Sequence, residues 1–168
     1  MALTQVASGL IASVSGASLT GTQNIPKATL PTGSVLQVVN GTTTTTVSTS
    51  ATSVIDTNLT ATITPTSSSS KILVLVSQRV FKTQAASQGA NMYLQRGATN
   101  LLTDARVGLN DVNTVGGDQK WNCNYLDSPA TTSATTYKTQ FAANNTTGTV
   151  YVNLDGNQAQ ITLMEISA

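Results

Sequence analysis

The sequence predicts an all-β fold, a sandwich or barrel of short antiparallel strands. About nine or ten segments are rich in Val, Ile, Thr and aromatic residues, and turn-forming residues separate them at intervals of roughly 8 to 12 residues. No segment places apolar residues at helical spacing. No sequence repeat with a fixed period is found, so we do not expect a solenoid or a propeller.

The most apolar strand is predicted over Lys71–Val80, KILVLVSQRV, directly after four serines. A short, β-branched apolar run next to turn formers is typical of a buried strand. Alternate side chains of a strand point to opposite faces. The two resulting sets are Ile72, Val74 and Val76 on one face, and Leu73 and Leu75 on the other. One set can join a core. We predict that the other meets a second subunit, unless the N-terminal segment or a long loop of the same chain covers it.

Residues 1–33 differ from the rest and are predicted to be an extended arm before a sandwich domain over 34–168. Small polar residues dominate the arm, and its Gly and Ser content disfavours a helix. Isolated apolar residues, chiefly Leu10, Ile11 and Leu19, favour an arm that docks on a neighbouring subunit or a larger assembly. A free tail is the alternative.

Four features are predicted between the arm and the serine run. They are a strand over Ser34–Val39, a turn at Asn40-Gly41, an exposed Thr-rich edge strand over Thr42–Ser53, and a strand over Leu59–Thr64 that ends at Pro65. Leu59, Ala61 and Ile63 share one face of the last strand.

A hairpin and a long loop are predicted after Val80. The hairpin has strands at Ala90–Gln95 and Thr99–Leu102 with a tight turn at Arg96-Gly97. Asp104–Gln119 contains few apolar residues and is predicted to be an irregular loop, which often carries function on a β scaffold. Its candidate exposed residues are Gly108, Asp111, Gly116, Gly117 and Asp118.

Four further strands complete the chain. They are predicted over Lys120–Leu126, Thr135–Ala142, Thr149–Leu154 and Gln160–Ile166, the last two joined by a hairpin turn at Asp155-Gly156-Asn157. Alternation places Trp121, Cys123 and Tyr125 on one face, and Tyr137 and Phe141 on another. We expect most of these aromatic residues to pack in the core rather than to stack on sugars.

Composition argues against several classes of partner. The chain has 168 residues, a net charge of +1 and only 9% charged residues, about a third of the usual share. Too few cations are present to neutralise a row of phosphates, so nucleic acids and anionic membranes are not expected partners. The N-terminus lacks the basic start of a signal peptide, and no apolar stretch is long enough to span a bilayer. We therefore expect synthesis in the cytoplasm without secretion.

The residue types of the chain leave little room for catalysis. There is no histidine, which removes the commonest general base and metal ligand, and the single cysteine, Cys123, is expected to face the core. The seven acidic residues show no spacing typical of a catalytic pair. Asp104, Asp111 and Asp118 are candidates for calcium but lack D-x-D spacing. We predict no catalytic, metal or cofactor site.

Five segments, in this order, carry a resemblance to a known group of proteins. They are GSVLQVV at Gly33–Val39, ITPTSSSSKILVLVS at Ile63–Ser77, YLQRGATNLL at Tyr93–Leu102, YLDSPATTSATTYKTQF at Tyr125–Phe141, and VYVN with ITLMEI near the end. The chain resembles, over roughly residues 33–166, a group of phage virion proteins from phages of marine bacteria and cyanobacteria, often labelled tail-fibre or structural proteins.

The resemblance implies a jelly-roll-like sandwich, usually trimeric, on a virion tail or capsid surface, and it implies no catalytic residues. The chain departs from a typical fibre because it has at most a short arm in place of a long shaft. The expected function is thus a non-enzymatic virion protein. The leading hypothesis is a short tail fibre or fibre tip that contacts a host glycan or receptor. The alternatives are a capsid decoration or cement protein and a carbohydrate-binding module.

Overall fold

The structure is a computed structural model that describes residues 30–83, 87–110 and 116–168, with only the backbone described for residues 109 and 110. The predicted arm anchors Leu10, Ile11 and Leu19 lie outside the described residues, as does Asp111 of the predicted loop. Within the described ranges, no helix is long and apolar enough to cross a membrane.

The described residues form ten strands and one short 3₁₀ turn at Leu154–Gly156. The strands are β1 (Val35–Thr43), β2 (Val47–Thr49), β3 (Ile55–Ile63), β4 (Lys71–Lys82), β5 (Gln88–Arg96), β6 (Thr99–Asn110), β7 (Gly117–Asp127), β8 (Thr135–Ala143), β9 (Val150–Val152) and β10 (Ala159–Ile166). The predicted all-β class is therefore confirmed.

The strands form two antiparallel sheets. The first sheet has the order β1-β10-β4-β7, and the short strands β9 and β2 extend it, because β9 pairs with β4 beyond the end of β10. The second sheet has the order β3-β8-β5-β6. Residues buried from both sheets form one common core, so the sheets pack as a sandwich.

The pairing pattern defines the fold as a jelly roll. β1 pairs with β10, β3 with β8, β4 with β7, and β5 with β6. These are the pairs of one long antiparallel hairpin. One arm of the hairpin contains β1, β3, β4 and β5, and the other contains β6, β7, β8 and β10. The hairpin is wrapped so that successive pairs alternate between the two sheets. The predicted jelly-roll-like sandwich is confirmed.

The core follows the alternation of the sequence. In β3, Leu59, Ala61 and Ile63 are buried, and in β8, Tyr137 and Phe141 are buried. These faces were predicted from spacing alone, and both predictions are confirmed. Burial of two large aromatic side chains on one strand makes β8 the centre of the second sheet's contribution to the core.

The predicted turn at Asn40-Gly41 is wrong, because β1 continues through both residues. Gly41 serves close packing instead: a side chain there would run into the backbone of Thr60 in β3 and would lie 3.1 Å from Cβ of Ala61. Here glycine lets two strands at the edge of the sandwich approach each other.

The predicted edge strand over Thr42–Ser53 is not continuous: Thr42 and Thr43 end β1, and only Val47–Thr49 form a separate strand, β2. The physical reason is that threonine hydroxyls compete for backbone hydrogen bonds. The hydroxyl of Thr43 accepts from the N–H of Thr45 at 3.2 Å, and that of Thr49 accepts from the N–H of Ala51 at 3.1 Å. Both contacts favour local turns over a continuous strand.

The predicted hairpin at Asp155-Gly156-Asn157 is also wrong. β9 and β10 do not pair with each other but lie one after the other along the same side of β4. The chain passes between them through the 3₁₀ turn, with Asn153 and Asp155 both at positive φ. Asn153 is buried and its side chain bonds to Gln78 and to the carbonyl of Thr45, which fixes this crossing.

The long loop predicted over Asp104–Gln119 is mostly strand, since β6 continues to Asn110 and β7 begins at Gly117. Gly108 and Gly117 are buried, and half-buried Gly116 lies close to the ring of Phe81. A side chain at Gly117 would come within 2.9 Å of the Lys82 side chain. Gly116 and Gly117 thus allow close packing against β4.

Candidate functional site

The outer face of the first sheet carries a continuous row of apolar residues. Val38 is the cross-strand partner of Met164, Met164 of Leu73, and Leu73 of Leu126. These four residues, one from each main strand, are called the apolar band below. Val38 is 56% exposed and Leu126 is 52% exposed, whereas Leu73 and Met164 are half-buried. Contiguous exposed apolar surface of this kind marks interaction sites.

The two rows that flank the apolar band contain one charged residue, the exposed Lys71, which is the cross-strand partner of Ile166. The next row across the same four strands is Asn40, Thr162, Leu75 and Asn124. Exposed Val35, beside Ile166, extends the apolar surface at the opposite side. A neighbouring protein that covers this face would therefore desolvate few charged groups, which lowers the cost of association.

The register decides which of the two predicted interface sets faces outward. Ile72, Val74 and Val76 are buried between the two sheets. Leu73 and Leu75 point to the outer face, where Leu75 is 36% exposed. Only this second set is available to a neighbouring subunit, and the interface itself remains a prediction.

Buried polar contacts hold the strand ends that carry the band. Asp127, at the end of β7 next to Leu126, is 6% exposed and accepts two hydrogen bonds from Arg96, at 2.9 and 2.7 Å. The hydroxyl of Tyr137 donates to the same carboxylate at 2.7 Å. Burial, followed by the hydrogen bond to Asp127, raises the pKa of Tyr137 above its usual range, so this hydroxyl keeps its proton.

A second carboxylate fixes β10 beside Met164. Glu165 is fully buried and accepts hydrogen bonds from the amide of Gln37 and from both the backbone N–H and the hydroxyl of Thr66, the last two at 2.7 Å. Burial alone would raise the pKa of this carboxyl, but the hydrogen bonds from Thr66 and Gln37 outweigh it and lower the pKa. β10 is therefore anchored to β1 and to the loop before β4.

A polar cleft of about 400 Å³ lies where the edge strands of the two sheets, β6 and β7, come together. It is lined by residues 104–107 and 119–122 and is called the edge cleft below. The indole N–H of Trp121 donates to Asp104 at 2.6 Å, and the side chain of Gln119 accepts from the N–H of Gly108 at 2.8 Å. These bonds tie β6 to β7 at the cleft.

The two cations that line the edge cleft differ in their ion pairing from three cations elsewhere on the described surface. Arg79, Arg96 and Lys138 form ion pairs with aspartates. Arg106 and Lys120 both line the cleft, and neither forms an ion pair among the described residues. A second surface cleft, of about 310 Å³, contains Lys138 and Asp56, which neutralise each other at 2.8 Å.

The other predicted sites are occupied by structural contacts. Asp118, from the predicted loop, is exposed on β7 and forms a two-pronged pair with Arg79, at 2.9 and 2.7 Å, which lowers the pKa of the carboxyl. Burial, and secondarily Asp104, raise the pKa of Cys123 to about 12, so its thiol is protonated and inert at neutral pH. No cluster of potential metal ligands occurs in the part of the chain that the structure describes.

Two of the sites that matter here were not predicted. The band residues Val38, Met164 and Leu126 could have been found from the sequence. Each is an apolar residue at a strand position that alternates with the core residues of the same strand, and it therefore points outward. Leu126, for example, follows the inward series Trp121, Cys123 and Tyr125. The edge cleft could not be predicted from the sequence, because five of its eight lining residues lie in the segment predicted to be a loop.

Comparisons with known proteins give only distant matches. No protein-family profile and no curated protein sequence matches the chain. Among solved structures, infectious bursal disease virus Gt strain matches 89% of this chain and 43% of its own chain, at 16% identity and a TM-score of 0.44. The VP2 subviral particle of the same virus matches 89% and 42%, at 15% identity and a TM-score of 0.42.

A bacterial protein gives a match of similar quality. Dimeric latent PorU from Porphyromonas gingivalis matches 82% of this chain and 14% of its own chain, at 10% identity and a TM-score of 0.42. The chain thus spans less than half the length of each of these three proteins. The assignment of the jelly roll rests on the strand pairing described above.

Proposed function

We propose that the chain is a non-enzymatic structural protein of a phage virion that assembles as a homotrimer through the apolar band. The observation that carries the proposal is the band itself, one apolar residue from each main strand of the first sheet in direct register. Charge-depleted apolar surface is typical of the centre of protein interfaces. In a subunit that stays single, the row would need cover from the N-terminal segment or a loop of the same chain.

Three further observations support a place in a virion. The resemblance to phage virion proteins extends over roughly residues 33–166. The jelly roll is a common architecture of virus shells, although lectins and cupins share it. The absence of histidine from the sequence and the engagement of Asp118, Asp127 and Glu165 in structural contacts agree with a non-enzymatic role.

Within the virion, we place the protein in a short tail fibre or fibre tip that contacts the host, following the labels of the proteins it resembles. A capsid decoration protein is the second candidate. It is favoured by the observation that the described residues from 30 to 168 build a sandwich and no shaft. In either place, the arm over residues 1–33 would attach the trimer to other virion proteins.

The location is tested by electron microscopy of intact virions. An epitope inserted at the exposed turn Gly97-Ala98 leaves the core untouched and accepts a gold-labelled antibody. Label at the tail supports the fibre, and label over the shell supports decoration. Purified particles that lack the protein altogether would exclude both.

The arm is tested separately by deleting residues 2–30. The shortened protein is expected to keep its fold and its oligomeric state, because β1 begins only at Val35. We expect it to be absent from particles that form in its presence, as measured by quantitative mass spectrometry of purified virions. Incorporation at the level of the full chain would show that the arm is not the anchor.

A further inference from the structure

We propose that the edge cleft binds an acidic sugar, such as a uronic acid within a polysaccharide, by its carboxylate and its neighbouring hydroxyl groups. The proposal does not depend on the function proposed above. It rests on the charges that line the cleft, on the chemistry of Asp104 and on the backbone at Arg106.

The cationic side of the cleft suits one carboxylate. Arg106 and Lys120 are exposed, line the same cleft and have no ionic partner among the described residues. Arginine binds a carboxylate through two parallel N–H donors, and lysine adds a third charge-assisted hydrogen bond. Two unpaired cations in one cleft are notable in a chain with eight cations in all.

The remaining lining groups suit hydroxyls. One oxygen of the Asp104 carboxylate accepts the Trp121 indole N–H, and the other has no partner among the described residues. A carboxylate only accepts hydrogen bonds and repels other anions, so the ligand needs a donor at this position. Gln119 uses its oxygen on Gly108, which leaves its amide N–H groups to donate. A hydroxyl can serve both groups, whereas a phosphate or a second carboxylate cannot approach Asp104.

The backbone conformation at Arg106 is unfavourable for this residue type, and it fixes the position of the Arg106 side chain. β6 carries one extra residue between Asp104 and Val107, a β-bulge, and Arg106 has a φ of 61°. A bulky residue at positive φ is strained, and such strain persists where the surroundings enforce it and concentrates at binding sites. Here Asn91 accepts the Arg106 N–H at 3.1 Å, and Gly89 leaves space beside the Arg106 backbone.

Binding can be measured on the full chain by its own fluorescence. Trp121 is the only tryptophan of the sequence and lines the cleft. The probe is a galacturonic acid trisaccharide, the uncharged control is the corresponding galactose trisaccharide, and inorganic sulfate is the control for a simple anion. We expect saturable quenching or enhancement by the acidic trisaccharide alone at low millimolar concentration.

Three variants locate the site. Arg106→Ala and Lys120→Gln are each expected to weaken binding about tenfold, the effect of losing one charge-assisted contact. Lys71→Gln is the matched control, because Lys71 is another exposed cation without an ion pair but lies outside the cleft. It should leave binding unchanged.

A fourth variant separates a binding role of Arg106 from a structural one. Arg106→Gly relieves the strain at positive φ. We expect it to raise or preserve the melting temperature while it weakens binding about tenfold. The proposal is overturned if the acidic trisaccharide does not bind, if the uncharged trisaccharide or sulfate binds equally well, or if Lys71→Gln weakens binding as much as the cleft variants do.

Discussion

The two faces of β4 are almost equally apolar, yet the molecule uses them differently. On the inner face, Ile72, Val74 and Val76 are buried by the second sheet. On the outer face, Leu73 and Leu75 lie on the surface of the described residues, next to Met164 and Leu126. The inner face is explained by folding of one subunit, whereas no described element of the same chain covers the outer face, for which we propose a second subunit.

The comparison extends to the polar groups of the same sheet. Inward-facing Asp127 and Glu165 are buried and fully engaged by neighbouring donors. Outward-facing Arg79 forms its ion pairs with Asp118 and Asp155 at the surface. Substitutions on the inner face should therefore affect stability strongly, and the same substitutions on the outer face should affect assembly.

The largest expected effect comes from placing a charge on the inner face. Val74→Asp buries an unpaired carboxylate between the sheets, which we expect to cost more than about 4 kcal/mol and to prevent folding of a domain of ordinary stability. Leu75→Asp, one residue away on the outer face, should fold. Circular dichroism and amide NMR spectra distinguish the two outcomes. A folded Val74→Asp protein would contradict the assignment of the faces.

A smaller loss is expected from the buried ion pair. Asp127→Ala removes the acceptor of Arg96 and Tyr137, and we expect it to lower the free energy of unfolding by about 3 kcal/mol in urea denaturation. Asp155→Ala is the outer-face control: its side chain is 74% exposed, and the change should be within about 1 kcal/mol. If the two variants lose the same free energy of unfolding, the inner ion pair does not stabilise the fold more than the outer one.

The pH dependence of stability should differ between buried and exposed carboxylates. The pKa of Glu165 is lowered in the folded chain. Its ionised form therefore stabilises the fold at pH values above the unfolded pKa of about 4.3. This contribution is lost as the pH falls through the lower folded pKa. Glu165→Gln should be less stable at pH 6 and should lose less stability than the parent between pH 5 and pH 3.

The exposed carboxylate Asp118 supplies the control for this titration. Its pKa is lowered by Arg79 at the surface, where solvent and salt screen the interaction. Asp118→Asn should therefore reproduce the parent's acid unfolding curve closely. If the acid unfolding curve of Glu165→Gln is the same as that of the parent, Glu165 contributes nothing to stability at acid pH.

Much of the fold was predictable because alternation is a local property. The sets of residues that share a face in β3, β4, β7 and β8 follow directly from the spacing of apolar residues along each strand. For β4, the spacing left open which of the two sets faces the core. The order of strands in the sheets could not follow from alternation. β1 pairs with β10 across more than a hundred residues of chain, and no local pattern identifies that partner.

The errors came from residue types with two possible roles. Glycine favours turns, but Gly41 and Gly117 are needed where backbones approach closely. Threonine favours strands, but the hydroxyls of Thr43 and Thr49 instead bond to local backbone N–H groups. Arg106 and the edge cleft were missed because only the tertiary fold brings β6 and β7 together.

The apolar band is tested most directly by the mass of the protein in solution. Light scattering after size exclusion should give about three times 17.3 kDa for the parent at micromolar concentration. The double variant Leu73→Asp/Leu126→Asp should give 17.3 kDa with an unchanged circular dichroism spectrum. Thr136→Asp, an exposed position on the second sheet, should remain a trimer. A parent that is a stable monomer, or a double variant that is still a trimer, would contradict assembly through the band.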